Sequence, residues 1–440
     1  MFSRVLLACL SVVFCLSLTI AAQNLEFERT RHKDILRIVK DDVKKNYFDP
    51  TFKGIDIEAK HKTAVESMSK AESIGQMTGI IAQFLLDFDD SHLFFSPPGK
   101  VNKTDYGFNF RMFGGRCFVT HIDAGSDAEK AGLQVGDQLY GVGGYEIARE
   151  TLWKLQYLFY RLRPQPGLEV VAIKPDKKMV KYAIAAKITE GRKVTDLTGS
   201  DLNRYIRESE EAYRKNTRQY YQNKLEGVFI WKMPSFSLDP PTVDEMMDKA
   251  KKAPAMIIDM RGNSGGRVDM LLRLIGNIFD QDVKVADEKT RKETKEVIAK
   301  SRGKEAYKGK IIALIDSASA SASEVFARVL QFEKRGQVLG DQSAGAVMES
   351  RFFGRQHGMD RIVLFGTSVT IADLIMKDGK SLEKSGVTPD LYILPTGRDL
   401  AARRDVVMSK ALATLGLNVT PEVAGAMFPQ YEDDEDDDNK

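Results

Sequence analysis

At 440 residues, with 43% hydrophobic and 29% charged side chains, the chain is long enough for two or three domains, each burying its own core, and has the composition of an ordinary soluble globular protein. Its formal charge of +3 conceals an acidic run, Glu432 to Asp438; setting aside those seven acids, Lys440 and Arg4 leaves a body near +8. No basic cluster with interleaved aromatics marks a nucleic-acid surface, so a nucleic-acid partner is excluded.

Arg4 precedes an apolar run from Val5 to Ile20 that ends in Ala21-Ala22. This is the pattern of a secretory leader over 1–22, too short to serve as a spanning helix, so an exported protein, periplasmic or secreted, with no transmembrane segment after cleavage is expected. Cys9 and Cys15 leave with the leader, and Cys117 alone cannot form an intramolecular disulfide. A helical N-terminal region follows over 23–98, with Ile35, Ile38, Val39 and Val43 at helical spacing, then Ala64, Met68, Ile81, Phe84 and Leu85. It closes through Ser91-His92 at Pro97-Pro98. His32 and His61 fall on its polar faces, where solvation is expected.

Residues 99–190 change texture to short strands and glycine turns, with one helix over Thr151 to Leu162 and a strand at Leu168–Ile173. The stretch from Ser200 to Asn223 reads as an exposed, charged helix. An α/β rhythm then occupies an expected core over 191–425: strands at Gly227–Met233 and Ala255–Met260, helices at Val243–Lys252 and around Leu271 to Phe279, and further strands at Val338–Gly340 and Ile362–Phe365. Strands alternating with helices imply a mostly parallel sheet. Residues 426–440 read as an acidic, disordered tail.

Two stretches carry chemistry. Lys310–Ile315 is a short apolar run that breaks into four serines alternating with alanine and then into an amphipathic pattern with Val325, Phe326, Val329 and Leu330. This predicts a buried strand, a tight turn and a helix, which can expose one hydroxyl beside backbone N–H groups. A helix cap would explain the serines equally well. Asn263-Ser264-Gly265-Gly266 ends another strand; it lacks the lysine of a phosphate loop, and its glycines let backbone N–H groups approach a reacting carbonyl.

The order of these parts resembles the C-terminal processing peptidase and tricorn protease family: a helical region, a module similar to a PDZ domain, then Asp259-x-Arg261-x-Asn263-x-Gly265-Gly266 and Ser319-Ala320-Ser321-Ala322-Ser323-Glu324. The resemblance implies a multidomain α/β protein with a crotonase/ClpP-like core. It implies that Ser321 is the nucleophile, that the N–H groups of Gly266 and Ala322 bind the oxyanion, and that Ser319 and Ser323 are structural. It also implies that the loop Tyr106-Gly107-Phe108 receives the terminal carboxylate of a protein or peptide with a free C-terminus.

One departure matters. Processing peptidases pair the serine with a lysine about two dozen residues downstream, and Ala346 stands there; unless Lys377, Lys380 or Lys384 folds back, the base is elsewhere. His121 belongs to the β module and His357 to a turn. Ser91-His92 resembles the tricorn arrangement, which makes His92 the base, supported by Ser91 and by a glutamate placed at Glu383. No cofactor or metal is implied, and a homo-oligomer stays open. The alternative is a binding protein of the same fold that has lost catalysis.

Overall fold

The computed structural model describes residues 25–98, 102–190, 220–221, 227–237, 239–358 and 363–428. The expected leader, most of the helix expected between Ser200 and Asn223, and the acidic run fall outside these residues. Tyr220–Tyr221 is a short strand.

At the centre lies a sheet in the order Tyr220–Tyr221, Val228–Lys232, Ala255–Asp259, Lys310–Ile315, Gln337–Gly340 and Leu391–Tyr392. The first pairing is antiparallel and the other four are parallel. Parallel strands must be covered on both faces, and the alternation along Lys310–Ile315 accomplishes it. Ile311, Ala313 and Ile315 enter a core with the helices Pro240–Ala250, Val268–Ile278 and Ala322–Phe332. Ile312 and Leu314 face Val407, Met408, Ala411 and Leu412 of the helix Val406–Thr414. Met427 is buried and Phe428 packs against this second core, so ordered packing continues into the stretch expected to be tail.

The strand glimpsed at Ile362–Phe365 is much longer, Val363–Ile375, and antiparallel. It pairs with Met348–His357 along one edge; along the other it takes Phe94–Ser96 toward one end and Val283–Thr290 toward the other. The N-terminal helices, residues 25–46, Ile57–Lys70 and Ile74–Leu86, bury Ile35, Val39, Tyr47, Phe84 and Leu85 together with Phe365 and Val369 of that strand. Strand pairing and shared packing therefore tie Ser91 and His92 to the core.

The β module has the order Phe108–Phe113, Arg116–Ile122, Gln138–Val142, Gly167–Ile173 and Met179–Ala185, all antiparallel. Its helix runs over Leu152–Gln156 and widens into a π-type turn over Tyr157–Leu162. Among the described residues Phe108–Phe113 pairs on one side only, and it lies against the core: Arg111 donates to Asp316 at 2.6 Å, and Ser317 donates to the Met112 carbonyl at 2.7 Å. Among the described residues, no helix is long and apolar enough to cross a membrane.

Candidate active site

Ser321 sits where the strand Lys310–Ile315 turns into the helix Ala322–Phe332, with φ 56° and ψ −119°. A serine avoids such a backbone unless its surroundings hold it there. The flanking serines do so. Ser319 Oγ accepts from Asp316 N–H and donates to the Met260 carbonyl, while Ser323 Oγ donates to the Asn263 carbonyl, which also accepts Ala320 N–H.

Asn263 is fully buried; its side chain donates to the Met233 carbonyl and accepts Gly265 N–H. This holds the glycine loop against the turn. At Gly265, φ is +92°, and a Cβ there would lie 2.6 Å from Ser321 Cβ and 3.0 Å from Ala322 N. Neither Gly266 N–H nor Ala322 N–H donates a hydrogen bond among the described residues. Two unclaimed donors are thus carried by the turn and by the loop packed on it, and an oxyanion needs such donors.

A second group forms a chain of hydrogen bonds. Glu383 accepts Ser91 N–H at 3.0 Å on Oε1, and the Ser91 hydroxyl at 2.8 Å and Val347 N–H at 2.9 Å on Oε2. Ser91 Oγ lies 2.8 Å from His92 Nδ1. Because the hydroxyl hydrogen goes to Glu383, the serine oxygen accepts from Nδ1–H. That fixes the tautomer whose Nε2 lone pair can take a proton.

Burial holds the His92 pKa below its usual 6.5, against the upward pull of Asp90, so the ring is neutral near pH 7. Burial also raises Glu383 above its ordinary value, opposed by the hydrogen bonds from Ser91 and Val347. Asp90 is buried and anchors the segment from below: it accepts His92 N–H, the Tyr47 hydroxyl and the Thr370 hydroxyl.

The structure brings Ser91, His92 and Glu383 together through hydrogen bonds, and sets the loop of Gly265, next to Gly266, against Ser321 and Ala322. One peptide unit separates the groups: the Ala346 carbonyl accepts Ser321 N–H at 2.9 Å, and the N–H at its other end, Val347, donates to Glu383. Among the described residues, no hydrogen bond joins the Ser321 hydroxyl to His92 directly. Such bonds are commonly long before substrate binds.

The three downstream lysines are engaged elsewhere or exposed. Lys377 pairs with Glu333, Lys384 with Asp89, and Lys380 is exposed.

Three expectations change. His32 is not solvated but buried, with Nδ1 on the Glu28 carbonyl, because Glu28 and Arg31 pair beside it. His61 is half-buried edge-on to Phe84, its Nε2 without a partner. His357 ends a strand rather than forming a turn and lies 3.5 Å from Asp34. His121 stays in the β module, beside Asp123.

In the loop assigned to a terminal carboxylate, Tyr106 and Phe108 are buried in the module's core. Gly107 N–H already donates to Asp105, and a Cβ at Gly107 would meet Ser126 at 2.4 Å. One assigned donor is therefore occupied by an acid of the chain itself. Tyr106 and Gly107 line a cavity of about 1410 Å³ between the module and the C-terminal helices; Ser321 and His92 do not.

A serine at a strand-to-helix turn, flanked by free N–H donors and accompanied by an oriented histidine, is laid out as in serine hydrolases. Residues 229–393 match the profile of peptidase family S41. The tail-specific protease of Haemophilus influenzae is 26% identical over 285 residues, 62% of this chain and 38% of that protein. The carboxyl-terminal-processing protease of a Synechocystis species is 22% identical over 308 residues, 66% of this chain and 63% of that protein. The chain thus spans less than two thirds of the length of these relatives. Among solved structures, mature CPAF complexed with lactacystin has a TM-score of 0.63 at 15% identity, covering 85% of this chain and 96% of that one, a likeness of fold.

Sequence reasoning passed over Glu324, Asp90 and the Ala346–Val347 peptide. Of these, Glu324 alone had a visible signal, an acid three residues after a capping serine.

Proposed function

We propose that the chain is an exported serine peptidase that hydrolyses peptide bonds through an acyl-enzyme. The observation that carries this is the Glu383–Ser91–His92 chain, which presents a neutral imidazole with its Nε2 available, beside a turn that isolates Ser321. His92 takes the Ser321 proton as Oγ attacks the peptide carbonyl. The developing oxyanion is held by the N–H groups of Gly266 and Ala322, each worth on the order of 3 kcal/mol in the transition state. The imidazolium protonates the leaving amine, and water activated by the same ring hydrolyses the ester. Ser91 and Glu383 orient the ring and stabilise its charge.

The substrate class is proteins with a free C-terminus, recognised through the β module. Support comes from the strand Phe108–Phe113, which among the described residues has one edge without a partner strand and lies beside the nucleophile turn, where its Met112 carbonyl accepts the Ser317 hydroxyl.

Fluorophosphonate labelling of the purified protein tests the assignment. Native protein should label, while Ser321→Ala should not, and His92→Ala should lose peptidase activity. Absence of labelling in native protein would instead support the binding-protein alternative.

A further inference from the structure

We infer that Glu324 is a positioning residue that fixes the nucleophile turn to the support of the base, acting through the loop Ser343–Val347. The inference rests on the Ser321–His92 reading above. Glu324 is fully buried, and its carboxylate is surrounded by donors. Oε1 accepts the Ser343 hydroxyl at 2.5 Å and Gly345 N–H at 2.8 Å; Oε2 accepts Ser321 N–H and Ala346 N–H, each at 3.0 Å.

Helix capping accounts for one of these, the bond to Ser321 N–H at the head of its own helix. The other three reach into a separate loop that no cap requires. A carboxylate stripped of water is costly unless its lone pairs are filled. Burial pushes its pKa up to about 7, against the downward pull of these four hydrogen bonds; three come from N–H groups that can only donate, so the geometry favours the ionised form.

The loop it holds is also tied to the segment carrying Glu383. Val347 N–H donates to Glu383, Lys384 N–H donates to the Gly345 carbonyl at 2.7 Å, and Val387 N–H donates to Ser343 Oγ at 2.6 Å. Ser321 N–H is shared between the Glu324 carboxylate and the Ala346 carbonyl. One buried acid therefore sets the distance between the nucleophile and the carboxylate that orients its base. The backbone at Ala346 thus acts as a strap, with Glu324 as its anchor.

Glu324→Gln keeps the size but turns an amide N–H₂ toward two of the four donors, so two ties must break. With a quenched peptide substrate, kcat should fall about 100-fold, as small misplacements of reacting groups do, with KM kept within about twofold. The acidic limb of kcat/KM, which reports His92, should move upward by roughly half a pH unit, because a Glu383 that loses the Val347 N–H holds the imidazolium more strongly through Ser91. Ser343→Ala, which removes one donor, should act in the same direction but more weakly, by about tenfold. It decides the matter if Glu324→Gln does not fold.

Native protein that fails to label with a fluorophosphonate overturns the Ser321–His92 reading, and this inference with it. Labelled native protein whose variant keeps kcat within about threefold overturns this inference alone. So does a variant that loses Tm and kcat together while the acidic limb stays in place.

Discussion

Replacing Glu383 by Gln isolates the charge at the far end of the hydrogen-bonded chain while keeping its shape. Glu383 Oε2 reaches His92 Nδ1 through two bonds of 2.8 Å that meet at Ser91 Oγ, which places carboxylate and imidazole about 5 Å apart. At that separation, with an effective dielectric of about 20, a carboxylate stabilises the imidazolium by about 3 kcal/mol, or on the order of 200-fold in rate. The amide adds a second penalty when its N–H₂ faces Ser91 Oγ. The serine then donates to Nδ1, forcing the proton onto Nε2 and removing the lone pair that Ser321 needs. Steady-state hydrolysis of a quenched peptide should show kcat lowered by about 10²-fold or more, with KM little changed. A variant that remains folded and keeps kcat within about threefold would refute the relay.

The pH dependence follows from His92. Burial lowers its pKa below 6.5, so kcat/KM should hold near neutrality and decline only below pH 6.5 as the base is protonated. The unfolded chain binds the proton more readily than the folded one in that window, so stability should fall as pH falls through it, and His92→Ala should remove that contribution in pH-dependent thermal melts. Gly265→Ala should abolish fluorophosphonate labelling, because a Cβ at φ +92° lies 2.6 Å from Ser321 Cβ. Asp405→Ala leaves Arg261 with Asp259 alone out of a paired, mostly buried triad, and urea unfolding should report a loss of about 3 kcal/mol with native topology retained.

Much of the site could be read from the chain. The serine–alanine alternation marks a turn needing small residues, and Gly265 confirms why, since its hydrogen lies against Ser321. The four inner strands of the central sheet were legible because residues buried on both faces form unbroken apolar runs, whereas Tyr220–Tyr221, read as part of a helix, and Leu391–Tyr392 are too short to show a pattern. The antiparallel strands Val283–Thr290 and Thr294–Ala299 were not, because their exposed residues are charged and mask the alternation. The helix Val406–Thr414 also escaped notice, although a parallel sheet requires cover on its second face. His32 was misjudged because Glu28 and Arg31 made its helix face look wet; they neutralise each other inside. Glu324 was seen only as the end of a motif. Its importance comes from a loop about twenty residues away that no local pattern reveals.

The bond from Ser91 to Glu383 spans 292 positions of sequence. A chain made from its N-terminus holds His92 early, the nucleophile late and the carboxylate later still. Contacts so distant in sequence form last, after the loops between them have closed. On the function proposed above, the nascent chain therefore has no assembled base, and its own unfolded segments are spared. Competence arrives as a consequence of completed folding, once Phe94–Ser96 has paired with the strand Val363–Ile375.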